Sequence, residues 1–166
     1  MNKWSEKNKV VNVLDPVATA FASASTDVVN MENYKKLTFI VATGASSANT
    51  DSTITILAGN ANDSCTEPIV FKYRTQIAAV TPNAGSDVQS ALTTATIAGF
   101  AMTASKKGGI YIIEVDAQVV AAAGTNFDHV CLKLVEATGS GAALGCILAV
   151  LSDPRYPDSV LQTAIG

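Results

Sequence analysis

The sequence predicts an all-β fold: an antiparallel β-sandwich, jelly-roll-like, with extended N- and C-terminal arms. Three observations carry this. Short alternating or β-branched apolar runs recur along the chain, each ending in a cluster of small turn-forming residues. No long amphipathic helical pattern is present to act as a crossover, so antiparallel pairing is favoured over parallel. The 166 residues are 48% hydrophobic, enough to bury a core at the length of one domain.

The chain divides into an N-terminal arm (residues 1–9), a sandwich domain (10–151) and a C-terminal arm (152–166). The first arm is polar apart from Trp4, with Lys3, Lys7 and Lys9 interleaved with Glu6. Strand signals at 10–14 and 28–31 are weak. Residues 37–41 form a clear strand that stops at Gly44-Ala45-Ser46-Ser47. In 53–57, Ile54 and Ile56 face one way and the threonines the other, the period-2 mark of a half-buried strand. The run stops at Gly59-Asn60-Ala61-Asn62-Asp63, and a strand over 69–74 follows.

Residues 87–98 place Val88, Ala91, Leu92 and Ala95 at helical spacing behind Ser86, yet are rich in threonine. They are read equally as a helical turn or an irregular loop. A weak strand is expected at 99–103, and a β-branched one at 110–115 after the turn Lys106-Lys107-Gly108-Gly109. Residues 127–135 alternate again, with Val130, Leu132 and Leu134 on one face. Residues 145–151 are nearly all apolar, as expected of a central strand covered on both faces. Two prolines, Pro154 and Pro157, exclude a central strand in the C-terminal arm. The total is roughly eight to ten strands, the spacing of a sandwich or barrel. Nine extended residues reach about 30 Å, far enough for an arm to touch a neighbouring subunit.

Charge narrows the function classes. Only 15% of residues are charged, so the surface is built from small polar residues that are cheap to desolvate, which suits a protein packed against partners. The net charge is −3 and the isoelectric point about 5.0, with no basic stripe, so nucleic acid is not an expected partner. The start, residues 1–11, lacks the apolar core of a signal peptide. The longest apolar stretch, 142–151, is too short to span a bilayer, so no membrane partner is expected.

Chemical motifs are sparse. Cys65, Cys131 and Cys146 form no C-x-x-C pair, and their odd number argues against a disulfide framework. A Cys131–Cys146 bridge needs their strands to pair and is not expected; Cys65, in a polar turn, is the more exposed thiol. His129 is the one histidine, at a strand start, where a structural role is favoured over a metal-binding one. Gathering with Asp116 and Asp128 would require the fold, since nothing local suggests it. Gly139 to Gly145 lacks the Lys-Ser/Thr ending of a phosphate loop and reads as a hairpin connection. The 60–64 turn lacks the spaced carboxylates of a calcium loop. No nucleophile elbow or metalloprotease helix is present. The expectation is a protein that is not an enzyme, with no catalytic residue, no metal and no cofactor. Tyr111 reads as core. Trp4 and Tyr156, with Arg155 beside the latter, are the candidate interface residues: aromatics on arms have little local core to join and anchor interfaces well.

Four segments, 27–34 (DVVNMENY), 38–44 (TFIVATG), 111–117 (YIIEVDA) and 148–156 (LAVLSDPRY), together resemble small β-sandwich virion proteins of tailed phages, of the capsid decoration (cement) type. The resemblance covers about residues 9–157 and rests on structural rather than catalytic motifs. It implies a homo-oligomeric structural protein on the virion capsid surface, made in the host cytoplasm, that binds the major capsid protein lattice. A tail or head-completion component, or a glycan-binding surface module, are the alternatives.

Overall fold

The computed structural model describes residues 3–44, 52–76, 88–102, 108–136, 144–156 and 163–165. Eleven strands and two short helices follow one another along these segments. Helix α1 (Trp4–Lys7) leads into β1 (Lys9–Val17), β2 (Val29–Asn30), β3 (Tyr34–Thr43), β4 (Thr53–Gly59), β5 (Cys65–Ile69) and β6 (Phe71–Gln76). Then come β7 (Thr93–Ala95), β8 (Phe100–Ala101), β9 (Ile110–Asp116), α2 (Ala117–Ala123), β10 (His129–Val135) and β11 (Gly145–Pro154).

Two antiparallel sheets result, so the chain is an all-β sandwich. One has six strands in the order β1-β11-β3-β9-β6-β7; the other has five, in the order β2-β10-β4-β5 with β8 also paired to β4. The runs β1-β11-β3-β9 and β2-β10-β4-β5 are the two faces of a jelly roll, in which successive strands repeatedly change sheet. Strands β6, β7 and β8 are an addition to it.

The core lies between the facing sheets. Leu37, Phe39 and Val41 of β3, with Ile147, Ala149 and Leu151 of β11, line one wall; Ile54, Ile56 and Ala58 of β4, with Val130, Leu132 and Leu134 of β10, line the other. All are essentially inaccessible. Tyr111 is buried as expected, at 1% exposure. Phe100 of β8 stacks on Tyr73 of β6 at 3.9 Å and tilts against Tyr111 of β9 at 6.0 Å, joining the five-stranded sheet to the six-stranded one. Buried polar side chains are partnered. Thr43 Oγ1 accepts from the Gly109 N–H (2.8 Å), Thr26 Oγ1 accepts from the Leu132 N–H (3.0 Å), and Ser52 donates to the Phe21 carbonyl (2.6 Å).

Several details differ from the sequence reading. The segment before β1 is not fully extended: Trp4–Lys7 make one helical turn, held by Glu6 accepting from the Lys3 N–H (2.9 Å) and Asn8 donating to the Trp4 carbonyl (2.8 Å). The strand expected at 69–74 is two strands. Residues 65–76 stay extended but change sheet at Val70, which is 44% exposed at the crossing. Pro68 sits in β5, an edge strand, where a missing N–H is tolerated.

The described part of 87–98 is no helix. Val88 and Leu92 are exposed, and Thr93–Ala95 pair with β6 at the sheet edge, as threonine favours. The true helix, α2, was not foreseen; its sequence AQVVAAA combines alanine propensity with Ala117 and Val120 buried at i, i+3 spacing. The link between β10 and β11 is not a hairpin, because these strands lie in different sheets. Residues 137–143 of that glycine-rich link lie outside the described residues.

β11 also runs past Leu151 to Pro154, which pairs with Tyr34. Proline is accommodated there because β1 accompanies β11 only as far as Lys9↔Leu151. The Arg155 N–H donates to Asn33 on the β3 side, and N–H groups alternate along a strand. The Pro154 nitrogen therefore faces the side that β1 has left.

Replacing Ile56 by Ala removes contacts from the inner wall and is expected to cost about 2–5 kcal/mol in a urea titration. Lys72→Ala, on the open face, is expected to stay within about 0.5 kcal/mol. Equal effects would contradict this assignment of faces.

Candidate interaction surface

The β1–β11–β3 arrangement gathers both arms at one end of the sandwich. Trp4 precedes the Lys9↔Leu151 pair by five positions and Tyr156 follows it by five. Helix α1 packs against β11, and the C-terminal arm, expected to be extended, returns to its own domain: the Ala164 carbonyl accepts from the Asn30 N–H (2.8 Å), and Ala164 is buried in the core. Trp4 is 61% exposed and Tyr156 67% exposed. Neither tucks into its own domain. Arg155 is fixed at its backbone by the bond to Asn33 and lines a cleft of about 350 Å³ with Lys35, Lys36, Asp116, Gln118 and Asp153. Lys36 and Asp153 form an ion pair at 3.3 Å, both ends more than half exposed, so it contributes little to stability. The structure thus brings the three sequence-predicted interface residues to one end, in a setting that mixes exposed aromatics with charges of both signs.

A second feature was misjudged in the sequence. β11 is central in its sheet, yet it is buried on one face only: Cys146, Leu148 and Val150 are half-buried and alternate with the core residues. Register places them beside Ala42, Ile40 and Thr38 of β3, which in turn face Ile110, Ile112 and Glu114 of β9. Cys146, Leu148 and Val150, with Ala42, Ile40, Ile110 and Ile112, make an apolar outer face three strands wide, about 14 Å. Val10 of β1, 47% exposed and paired with Val150, extends it toward the arm end. On the other side it meets a cleft lined by Lys36, Thr38, Lys72, Leu92, Glu114 and Asp116. Contiguous apolar surface of this kind marks an interaction site more often than scattered apolar residues do.

The remaining candidates do not gather into a reaction site. His129 opens β10, mostly buried, with Nδ1 2.5 Å from Asp128 Oδ1. Asp116 pairs with Lys36 in the other sheet, so the three residues do not meet. Cys131 and Cys146 likewise belong to different sheets and are free thiols, as is Cys65. Among the described residues no three His, Cys, Asp or Glu side chains come together as metal ligands, and no helix is long and apolar enough to cross a membrane.

In the isolated chain Trp4, the sole tryptophan, is expected to show water-like emission fully quenched by iodide. Trp4→Ala and Tyr156→Ala are each expected to change unfolding free energy by no more than about 0.5 kcal/mol. A blue-shifted, protected emission would mean that the arm folds back on its own domain.

No protein-family model matches the chain, and no curated protein matches it. Among solved structures, it is similar to the SPBc2 prophage-derived protein YomS, at 13% sequence identity and a TM-score of 0.43, over 88% of this chain and 93% of that one.

Proposed function

We propose that this protein is a structural component of a tailed-phage virion, decorating and stabilising the capsid by binding the major capsid protein lattice as a homo-oligomer. The observation that carries this is the surface left uncovered by the fold: Trp4 and Tyr156 exposed together at one end, and the apolar outer face of the six-stranded sheet, which Val10 extends toward that end. Such surface is costly in water and becomes favourable once covered. The sequence resemblance to decoration proteins supplies the virion context. Low charge supports the same reading, since few ions must be desolvated on docking.

The mechanism needs no cofactor or energy source. A rigid sandwich bridges neighbouring capsomers, and two aromatic anchors per subunit fill pockets at their junction. Binding only the assembled shell stabilises that shell by linkage. Many modest contacts repeated over the lattice add through effective concentration.

Co-sedimentation with assembled shells, set against unassembled capsid subunit, tests this. Saturable binding to shells alone is expected, with Trp4→Ala/Tyr156→Ala weakened at least tenfold, the scale of loss at an aromatic hot spot. Equal affinity for shell and free subunit would refute the cement mechanism. Absence of binding to either would redirect attention to a tail or connector position.

A further inference from the structure

Gly59, the last residue of β4, makes an unusual juxtaposition on the outer face of the five-stranded sheet. It pairs with His129 of β10 on one side and with Cys65 of β5 on the other. Cys131 lies two residues beyond His129 and so shares that face. In a flat sheet, the intervening strand and the two-residue offset would hold Cys65 and Cys131 roughly 12 Å apart, beyond the reach of a disulfide. Here the register slips between Ala58 and Gly59, and the chain folds over the glycine. A Cβ on Gly59 would lie 1.9 Å from the Ser64 carbonyl oxygen and 2.9 Å from Cys65 Cα. The absent side chain is what lets Ser64 and Cys65 lie across β4, and it brings β5 into contact with β10.

The two cysteines are neighbours there. The Cys65 thiol donates a hydrogen bond to Cys131, which with burial pushes the Cys65 thiol well above its ordinary range. The same hydrogen bond, aided by the Lys133 ammonium, lowers the Cys131 thiol. Both cysteines are free. Cys131 is 6% exposed and Cys65 is half-buried, so the pair has one accessible member and one protected member. Cys146 sits on the outer face of the other sheet and takes no part.

We propose that Cys65 and Cys131 are a reversible modification site, a dithiol that closes to an intramolecular disulfide at the expense of a low-molecular-weight disulfide. Cys131 first gives up its proton to solvent; Cys65, the accessible sulfur, then attacks one sulfur of the small disulfide as its own proton passes to the Cys131 thiolate. The small S–S bond breaks and the first thiolate leaves, taking up a proton. Cys131 then loses its proton and attacks the Cys65 sulfur of the mixed disulfide, expelling the second small thiol. Two protein thiols give up two electrons and two protons in all, and one small disulfide becomes two thiols. The product staples β5, an edge strand, to β10 next to the sheet centre. In the virion reading above, the staple stays open in a reducing cytoplasm and closes after release, but the chemistry does not rest on that reading.

The test is equilibration of the full-length reduced protein in buffers of graded oxidised and reduced glutathione, followed by maleimide trapping and peptide mass mapping. Wild type is compared with Cys146→Ser and Cys65→Ser. In wild type and Cys146→Ser, the labels on Cys65 and Cys131 are expected to disappear together, with a cross-linked 65–131 peptide and an unchanged far-UV spectrum. In Cys65→Ser, Cys131 is expected to resist glutathionylation. A glutathione adduct accumulating on Cys65 alone, independent loss of the two labels, or cross-linking only in urea would each overturn the proposal.

Discussion

Everything in this molecule depends on the alternation of side chains across two facing sheets while the chain itself keeps changing sheet. Each strand must present its apolar set inward on arrival: Leu37, Phe39 and Val41 from β3, then Ile54, Ile56 and Ala58 from β4 on the opposite wall. A slip of one residue in any strand would turn that set to solvent. The irregularities are placed where this demand relaxes. β1, an edge strand, takes two register shifts between Asn12 and Val17. β5 takes its shift at the hairpin end beside Gly59. The sheet change within 65–76 occurs at Val70, where neither sheet needs an inward side chain.

The same constraint explains what the sequence made legible. Period-2 runs are local, so strands within 37–41, 53–57, 110–115 and 127–135 were readable, and in 53–57 and 127–135 so were their faces. Sheet membership is not local. Nothing in Leu132-Lys133-Leu134 or Ile147-Leu148-Ala149 says that one strand joins β2 and β4 while the other joins β1 and β3, and their link was therefore mistaken for a hairpin. Helix α2 lies beyond the strand read at 110–115 and went unread; alanine propensity and the buried Ala117/Val120 pair form it. Apolar spacing in 87–98 was a false helical signal, since Val88 and Leu92 remain exposed and Thr93–Ala95 pair as a strand.

The candidate surface was half legible. Trp4, Arg155 and Tyr156 stood out because aromatics in polar, proline-bearing arms have no local core to join, and the fold places them together. The outer face of the six-stranded sheet did not stand out. A continuous apolar run such as 145–151 fits equally a strand covered on both faces and a strand whose second face awaits a partner. Only the half-burial of Cys146, Leu148 and Val150 separates the two. The contact between Cys65 and Cys131 was invisible for a further reason: it needs a glycine in a third strand, at a register slip, to let two distant segments overlap.

Particle stoichiometry decides most about the proposed role. Quantitative mass spectrometry of purified virions gives the copies of this chain relative to the major capsid protein. A decoration protein is expected at a simple lattice ratio, with hundreds of copies per particle. A handful of copies, or absence from purified particles, would contradict capsid decoration.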